Sequence, residues 1–222
     1  GALRTELKCG PLWMILRHGL MVRGLKFRLY YPKPRSEQSA ATPHYGRNRL
    51  TFYPNFYFGP QHEEIDLVMF LNGLPIVLLE LKHEAGSQGW NVHDAVAQYA
   101  KRDETQSIFQ LPFLYIAADT SEVKVATDPS REENFRWFNT ALANQPMSEG
   151  EYPVEFLYRE VLSKDRLLEA LAFFLVYVPM RHAESDKPIR AALSIFPRYH
   201  QSRMVSRVAE AVLARVADRG DI

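Results

Sequence analysis

The alternation of hydrophobic and polar positions predicts strands in the first part of the chain. Residues 26–31, 49–57, 65–71 and 75–82, and later 113–118 and 122–126, are rich in β-branched, aromatic or leucine side chains and are bounded by turn-forming residues. Residues 32–45 contain three prolines and several small polar side chains, which predicts a loop. Two further polar stretches, 144–150 and 181–188, predict linkers.

Helical periodicity dominates the later part of the chain. In residues 92–102 the apolar and small positions follow the spacing of one buried face, with Asn91 as the N-cap and Asp94 in the first turn. Residues 163–178 and 199–219 show the same periodicity, and the valines of the last segment predict a buried stripe. We therefore predict an α/β domain over residues 1–160 and a helical extension over residues 161–222.

Composition narrows the class of protein without naming an activity. Apolar residues make up 46% of the 222 residues, and 27 basic residues against 26 acidic ones leave a net charge of +1, which excludes a histone-like polycation but not a local basic groove. The single cysteine, Cys9, excludes an internal disulfide framework and suits a reducing compartment. No histidine spacing typical of a zinc site occurs. We expect a cytoplasmic protein, and the first residue, Gly1 rather than Met, suggests a fragment.

Two carboxylates interrupt the most apolar part of the sequence. The strands on either side of Asn72-Gly73, the strongest short hairpin signal, are nearly continuous in apolar residues except for Asp66 and Glu80. A buried carboxylate is costly unless its charge is compensated. One interpretation is a structural ion pair in which Lys82 neutralises Glu80 at the sheet edge; the other is a divalent metal site completed by that lysine.

The register of this hairpin decides whether a metal site can form. A two-residue turn pairs Leu71 with Leu74 and leaves Glu80 on the face opposite Asp66. A three-residue loop pairs Asp66 directly with Glu80 and puts Lys82 on the same face. Because opposed like charges repel, this second register requires a cation between them. We predict it, or a β-bulge that gives the same alignment.

Such an arrangement suits the hydrolysis of phosphodiesters. Asp66 and Glu80 would bind Mg²⁺, which prefers hard oxygen ligands and retains several waters, and Mn²⁺ is expected to substitute. The metal would lower the pKa of a bound water. Lys82 would orient or deprotonate that water and stabilise the charge of the transition state.

The spacing D-(x)13-E-x-K within a hairpin resembles the core of the PD-(D/E)xK nucleases, with Ile65 in place of the proline before Asp66. The surrounding motifs resemble, in order, those of the restriction (HsdR) subunit of type I restriction-modification enzymes, over about residues 16 to 212. They are LRHGL (16–20), RLYYPKP (28–34), NRL (48–50), FLNGLP (70–75) with ELK (80–82), DAVAQY (94–99) and FPRYHQ (196–201).

The resemblance implies a restriction-endonuclease-like fold, a mixed central sheet flanked by helices with a C-terminal helical extension. It also implies that residues 161–222 are a helical linker and the incomplete start of a helicase-like motor domain, which the segment 196–201 opens. It implies ATP-dependent, translocating cleavage of unmethylated double-stranded DNA, together with methylation and specificity subunits. Family nucleases carry a glutamine on the helix after the E-x-K strand, here Gln98, commonly followed four residues later by a tyrosine; here that position is Arg102. Gln201 would contact adenine, but no phosphate-binding loop follows, so ATP is expected to act only in the full-length subunit.

Basic residues near this predicted site are candidates for contacts with DNA phosphates. They are Arg47, Arg49, Lys101 and Arg102. Two alternatives remain open at the level of sequence: a non-catalytic DNA- or subunit-docking module that retains the nuclease fold, or another PD-(D/E)xK nuclease of the repair or junction type.

Overall fold

The computed structural model describes residues 1–34, 39–83, 89–103, 105–138, 153–182, 185–197 and 199–218. Its longer elements, numbered along the chain, are α1 (Ala2–Glu6), α2 (Leu12–His18), β1 (Leu20–Val22), β2 (Leu25–Phe27), α3 (Thr42–Gly46), β3 (Leu50–Phe58), β4 (Glu63–Leu71), β5 (Leu74–Leu81), α4 (Val92–Ala100), β6 (Leu114–Ala118), β7 (Val123–Ala126), β8 (Arg136–Trp137), α5 (Lys164–Glu169), β9 (Val176–His182), β10 (Ser185–Ile195) and α6 (Tyr199–Asp218). Short 3₁₀ turns occur at Ser107–Phe109 and Glu132–Asn134, and π-helical turns at Leu157–Val161 and Ala170–Phe174.

A mixed sheet of six strands is the centre of the described structure, in the order β3-β4-β5-β6-β7-β8. Neighbouring strands are antiparallel except β5 and β6, which are parallel. The connection between these two strands contains α4, as a parallel pair requires a long crossover. The prediction of a mixed α/β sheet flanked by helices is confirmed.

Both faces of the sheet are covered by hydrophobic side chains, which explains the nearly continuous apolar runs of β4 and β5. On one face α2 and α5 pack against Met69, Val77 and Leu79. On the other face Val92, Ala95, Val96 and Tyr99 of α4 pack against Val68, Leu78 and Tyr115. The α5 segment, in the predicted extension, therefore contributes to the core beside the sheet, while the division at residue 160 stays a prediction.

The start of α4 is fixed by a capping box, as its sequence predicts. The Asn91 side chain accepts a hydrogen bond from the His93 N–H, and the Asp94 side chain accepts one from the Asn91 N–H. Asp119, buried after β6, accepts the Val92 N–H at 2.8 Å and ties the same end of the helix to the sheet. These contacts set which face of α4 meets the sheet.

Several predicted elements were wrong in extent or type. The strand over 26–31 is only Leu25–Phe27, paired with Leu20–Val22 in a separate hairpin, and the loop over 32–45 includes the beginning of α3. The helix predicted over 163–178 ends in the π-helical turn at Phe174, because the β-branched Val176 and Val178 pair with β10. Of the linker predicted over 181–188, residues 181–182 belong to β9 and residues 185–188 to β10 instead. The linker predicted over 144–150 lies outside the described residues.

The last helix forms as predicted, but three of the valines on its predicted buried stripe are exposed. Val205, Val208 and Val212 of α6 are each half exposed or more. Periodicity therefore located the helix correctly, while its apolar stripe is left uncovered within the described structure.

Candidate functional site

The β4–β5 hairpin aligns the two carboxylates by means of a bulge. Asn72 and Gly73 form a two-residue turn with positive φ values of 51° and 85°, and Leu71 pairs with Leu74. Phe70 pairs with Pro75, but the next residue, Met69, pairs with Val77. The register therefore shifts between these two pairs, and Ile76 is the one extra residue on β5. Beyond the shift Leu67 pairs with Leu79, and the next position along the ladder places Asp66 opposite Glu80. The predicted alignment is confirmed in its bulged form, whereas the three-residue loop does not occur.

Glu80 is the most deeply buried member of the site. It has no exposed surface, and both of its oxygens accept hydrogen bonds from the α4 side of the sheet. Gln98 Nε2 donates to Oε2 at 2.9 Å, and Arg102 Nη2 donates to Oε1 at 3.0 Å. Gln98 and Arg102 are one helical turn apart, so both lie over the same strand.

Lys82 joins the site through Gln98. Its Nζ donates to Gln98 Oε1 at 2.6 Å, while the other end of the same amide donates to Glu80. Asp66 is anchored from the other strand, since its Oδ2 accepts the Leu81 N–H at 2.6 Å. The structural ion pair between Lys82 and Glu80 is not among the described contacts; the ion pair to Glu80 comes from Arg102 instead.

Arg102 connects the end of α4 to the beginning of β4. Its Nη1 lies 3.2 Å from Glu63 Oε1, Nη2 donates also to the Glu64 carbonyl, and the guanidinium lies 5.5 Å from the centre of the Phe58 ring. The side chain is 12% exposed. Arg102, a candidate for a DNA phosphate contact, thus points inward, and its role towards DNA stays a prediction.

The side chains of Glu63, Asp66, Glu80, Lys82, Gln98 and Arg102 form a cluster. The electrostatics of this cluster favour a further positive charge. Burial, and after it the charge of Asp66, raises the pKa of Glu80 to about 7, although Arg102 and Lys82 act in the opposite direction. The two cations present therefore do not fully offset the desolvation of this carboxylate.

The donor set fits a magnesium ion that also binds water and phosphate. Within the described ranges no three histidine, cysteine or acidic side chains converge as a metal site, so the protein ligands would be the two carboxylates. Mg²⁺ is commonly held by one or two carboxylates together with waters and substrate phosphates. Each carboxylate oxygen has two lone pairs, so Asp66 and Glu80 retain acceptor capacity beyond their present hydrogen bonds.

The remaining predicted residues lie apart from this cluster. Arg49 is exposed beside the hairpin turn, where its N–H donates to Asn72 Oδ1 at 2.8 Å, and Arg47 is exposed two residues earlier. The turn is five residues from Asp66 along β4, or about 17 Å at roughly 3.4 Å per residue. Lys101 is exposed at the C-terminal end of α4.

Gln201 lies near the start of α6, beside a cavity of about 400 Å³ lined also by Phe196 and Trp137. The contact that the resemblance implies for its side chain, with adenine, stays a prediction.

Glu63 is the member of the cluster that the sequence did not reveal. Its carboxylate accepts from Arg102 and, through Oε2, from Gln106 Nε2 at 3.1 Å. It is three residues before Asp66, so strand alternation alone assigns it to the other face of the sheet. The one sequence signal for its presence near the site was its position at the beginning of a strand. Tyr99, one of the apolar positions in the periodic segment 92–102, is on the buried face as that periodicity predicts: it is 1% exposed and its hydroxyl donates to the Ile116 carbonyl.

A mixed sheet flanked by helices, with this carboxylate pair, lysine and glutamine on one face, is consistent with a restriction-endonuclease-like fold. The family model described as the type I restriction enzyme R protein N terminus matches residues 42–134, which contain β3 to β7, α4 and the whole cluster. Residues 42–134 are thus similar to the N-terminal region of the R protein of type I restriction enzymes, and the match supports such a region in this chain. A comparison with curated proteins gives no match. None of the described helices is long and apolar enough to cross a membrane.

Proposed function

We propose that this region is a Mg²⁺-dependent DNA endonuclease whose active site consists of Asp66, Glu80, Lys82 and Gln98. The observation that supports it most directly is the chain of contacts from Lys82 through the Gln98 amide to the buried Glu80, opposite Asp66 on one face of the sheet. A buried Glu80 beside the partly buried Asp66 and a lysine is costly for stability and suited to phosphoryl chemistry.

Each residue would have a distinct task. Asp66 and Glu80 would hold the metal, whose contribution when bound is to acidify a water and to stabilise negative charge on the phosphate. Lys82 would stabilise the developing negative charge and orient the attacking water. Gln98 would hold the Lys82 ammonium in position, since its amide contacts both Lys82 and Glu80.

Double-stranded DNA would be the substrate, with Arg47, Arg49, Lys101 and Arg102 as the candidates for phosphate contacts. In the full-length subunit, ATP would bind with help from Gln201, and the methylation and specificity subunits would be the partners. As a protein that acts on DNA with these partners, it would be cytoplasmic.

A non-catalytic docking module is the second candidate. It is favoured by one observation, namely that Glu80 already has an internal cation, Arg102, at 3.0 Å. A decayed site would be expected to lose its unpaired carboxylate or its lysine, and both Asp66 and Lys82 are present.

Cleavage of supercoiled plasmid by the chain with Mg²⁺ or Mn²⁺ tests the proposal. We expect nicking by the wild type and its loss in Asp66→Asn and Lys82→Met. Equal nicking by wild type and both variants would reject the site. If the wild type does not nick, calorimetry with Mn²⁺ separates a metal-binding active site from a docking surface, which would bind none.

A further inference from the structure

The buried Glu80 carboxylate has one direct ionic partner within the described structure, Arg102. Lys82 approaches it only through the Gln98 amide. Arg102 thus occupies, in electrostatic terms, the role that a metal ion would have beside this carboxylate.

The Arg102 guanidinium is divided among several acceptors and incompletely satisfied. Nη1 pairs with Glu63, and Nη2 is shared between the Glu64 carbonyl and Glu80. Its Nε is buried, and no acceptor among the described residues lies within hydrogen-bonding distance of it. A buried N–H without a partner is unfavourable. The guanidinium therefore contacts two carboxylates at once, and loss of its contact with Glu80 would leave it paired with Glu63.

Two cations on one buried carboxylate oppose each other. A magnesium ion bound to Glu80 would lie about 2.0–2.1 Å from a carboxylate oxygen, while Arg102 Nη2 lies 3.0 Å from Oε1 of the same group. Repulsion between like charges is stronger in buried surroundings than in water. We propose that Arg102 is the resident counter-ion of Glu80, and that a divalent cation binding at Asp66 and Glu80 displaces the guanidinium from Glu80 towards Glu63.

This inference rests on the proposed function, because it takes Asp66 and Glu80 as the metal ligands. It assigns to Arg102 a role in setting metal affinity: the arginine stabilises the metal-free protein and weakens the binding of the metal. Such a coupling is reciprocal, so the metal must weaken the hold of Glu80 on Arg102 by the same factor.

The test is a calorimetric titration of the whole chain with Mg²⁺ at about pH 8.5, where Glu80 is ionised. We expect Arg102→Gln to bind Mg²⁺ at least about tenfold more tightly than the wild type. Arg102→Lys keeps the positive charge but loses the several N–H donors of the guanidinium, so its affinity for Mg²⁺ should lie between those of the wild type and Arg102→Gln. Arg131→Gln removes an equal charge from an exposed position and serves as the matched control, with an affinity within about twofold of the wild type.

Thermal unfolding gives a second readout. In EDTA, Arg102→Gln should unfold at a lower temperature than the wild type, and the increase caused by Mg²⁺ should be larger in the variant. Circular dichroism in Mg²⁺ checks that Arg102→Gln is folded. If it is not, the unfolding temperatures of Arg102→Lys are compared with those of the wild type instead.

The outcomes separate the two proposals. If the wild type binds Mg²⁺ and the Arg102 variants bind it equally or more weakly, the counter-ion role is refuted and the metal site stands. If neither the wild type nor any variant binds Mg²⁺, the proposed function fails and the counter-ion role fails with it.

Discussion

Replacing Glu80 with glutamine should remove a pH dependence from the stability of the metal-free protein. In the unfolded chain this carboxyl loses its proton near its ordinary pKa of 4.5, whereas burial raises its pKa in the folded protein to about 7. Between these values the folded state binds more protons than the unfolded state, so the free energy of unfolding falls as the pH rises. Glutamine has no proton to lose at this position and retains an oxygen that can accept from Arg102.

The size of this change in the free energy of unfolding follows from the difference between the pKa values of Glu80 in the unfolded and folded states. A difference of about 2.5 pKa units, from 4.5 to about 7, corresponds to about 3 kcal/mol at roughly 1.36 kcal/mol per unit. Because a domain of this kind is stable by only about 5–15 kcal/mol, such a contribution is readily measured. In EDTA at about pH 8, we therefore expect Glu80→Gln to be more stable than the wild type by about 3 kcal/mol, and to match it near pH 4.5.

Urea denaturation at several pH values from about 4.5 to 8, in EDTA, measures this difference. Glu133→Gln, which changes an exposed carboxylate, is the matched control and should follow the wild type. The reasoning is refuted if wild type and Glu80→Gln show parallel stability profiles across this range. Adding Mg²⁺ should stabilise the wild type above pH 7 and leave Glu80→Gln unchanged, because ligand that binds only the folded state stabilises it.

Three further substitutions test individual contacts. Lys82→Met should reduce Mg²⁺-dependent plasmid nicking at least about 100-fold while Mn²⁺ affinity changes little, and a nicking rate near that of the wild type would contradict the role of the ammonium. Asn72→Ala should lower the free energy of unfolding, measured in urea, by about 2 kcal/mol. The variant loses the side-chain hydrogen bonds to Leu29 and Arg49, and alanine tolerates the left-handed φ of 51° less well than asparagine. A change below about 0.5 kcal/mol would contradict this. Asp119→Ala should cost about 2–4 kcal/mol in the same assay, because three backbone N–H groups lose their acceptor, and an unchanged midpoint would show that water replaces it.

The alignment of Asp66 and Glu80 was predictable because sequence and charge constrain it together. Asn72-Gly73 fixes the position of the turn, and the requirement that Asp66 and Glu80 share a face selects either a longer loop or a bulge. Sequence did not decide between these two, since the choice depends on backbone geometry within β5. The structure has the two-residue turn with the bulge.

The role of Arg102 could be predicted only in part. Its place one turn after Gln98 correctly put it over the site. Its partners depend on how α4 lies across the sheet, and in particular on Glu63, a residue that is distant in sequence and has no motif. A long-range ion pair of this kind leaves no periodic signal.

After residue 174 several predictions were wrong because local propensity and tertiary pairing disagree. Leucine-rich periodicity continues from α5 towards Val178, but Val176 and Val178 pair with β10 and end the helix. In α6, periodicity predicted a buried stripe, yet Val208 and Val212 are exposed. Periodicity reports which face is apolar, not whether another element covers it.

The central claim is that Asp66 and Glu80 together bind one divalent cation. Electron paramagnetic resonance of Mn²⁺ at about pH 8 measures the bound ion directly, in the wild type, in Asp66→Asn and in the exposed control Glu133→Gln. We expect one bound Mn²⁺ in the wild type and in Glu133→Gln, and no bound Mn²⁺ in Asp66→Asn. Equal binding of Mn²⁺ by all three proteins would contradict it.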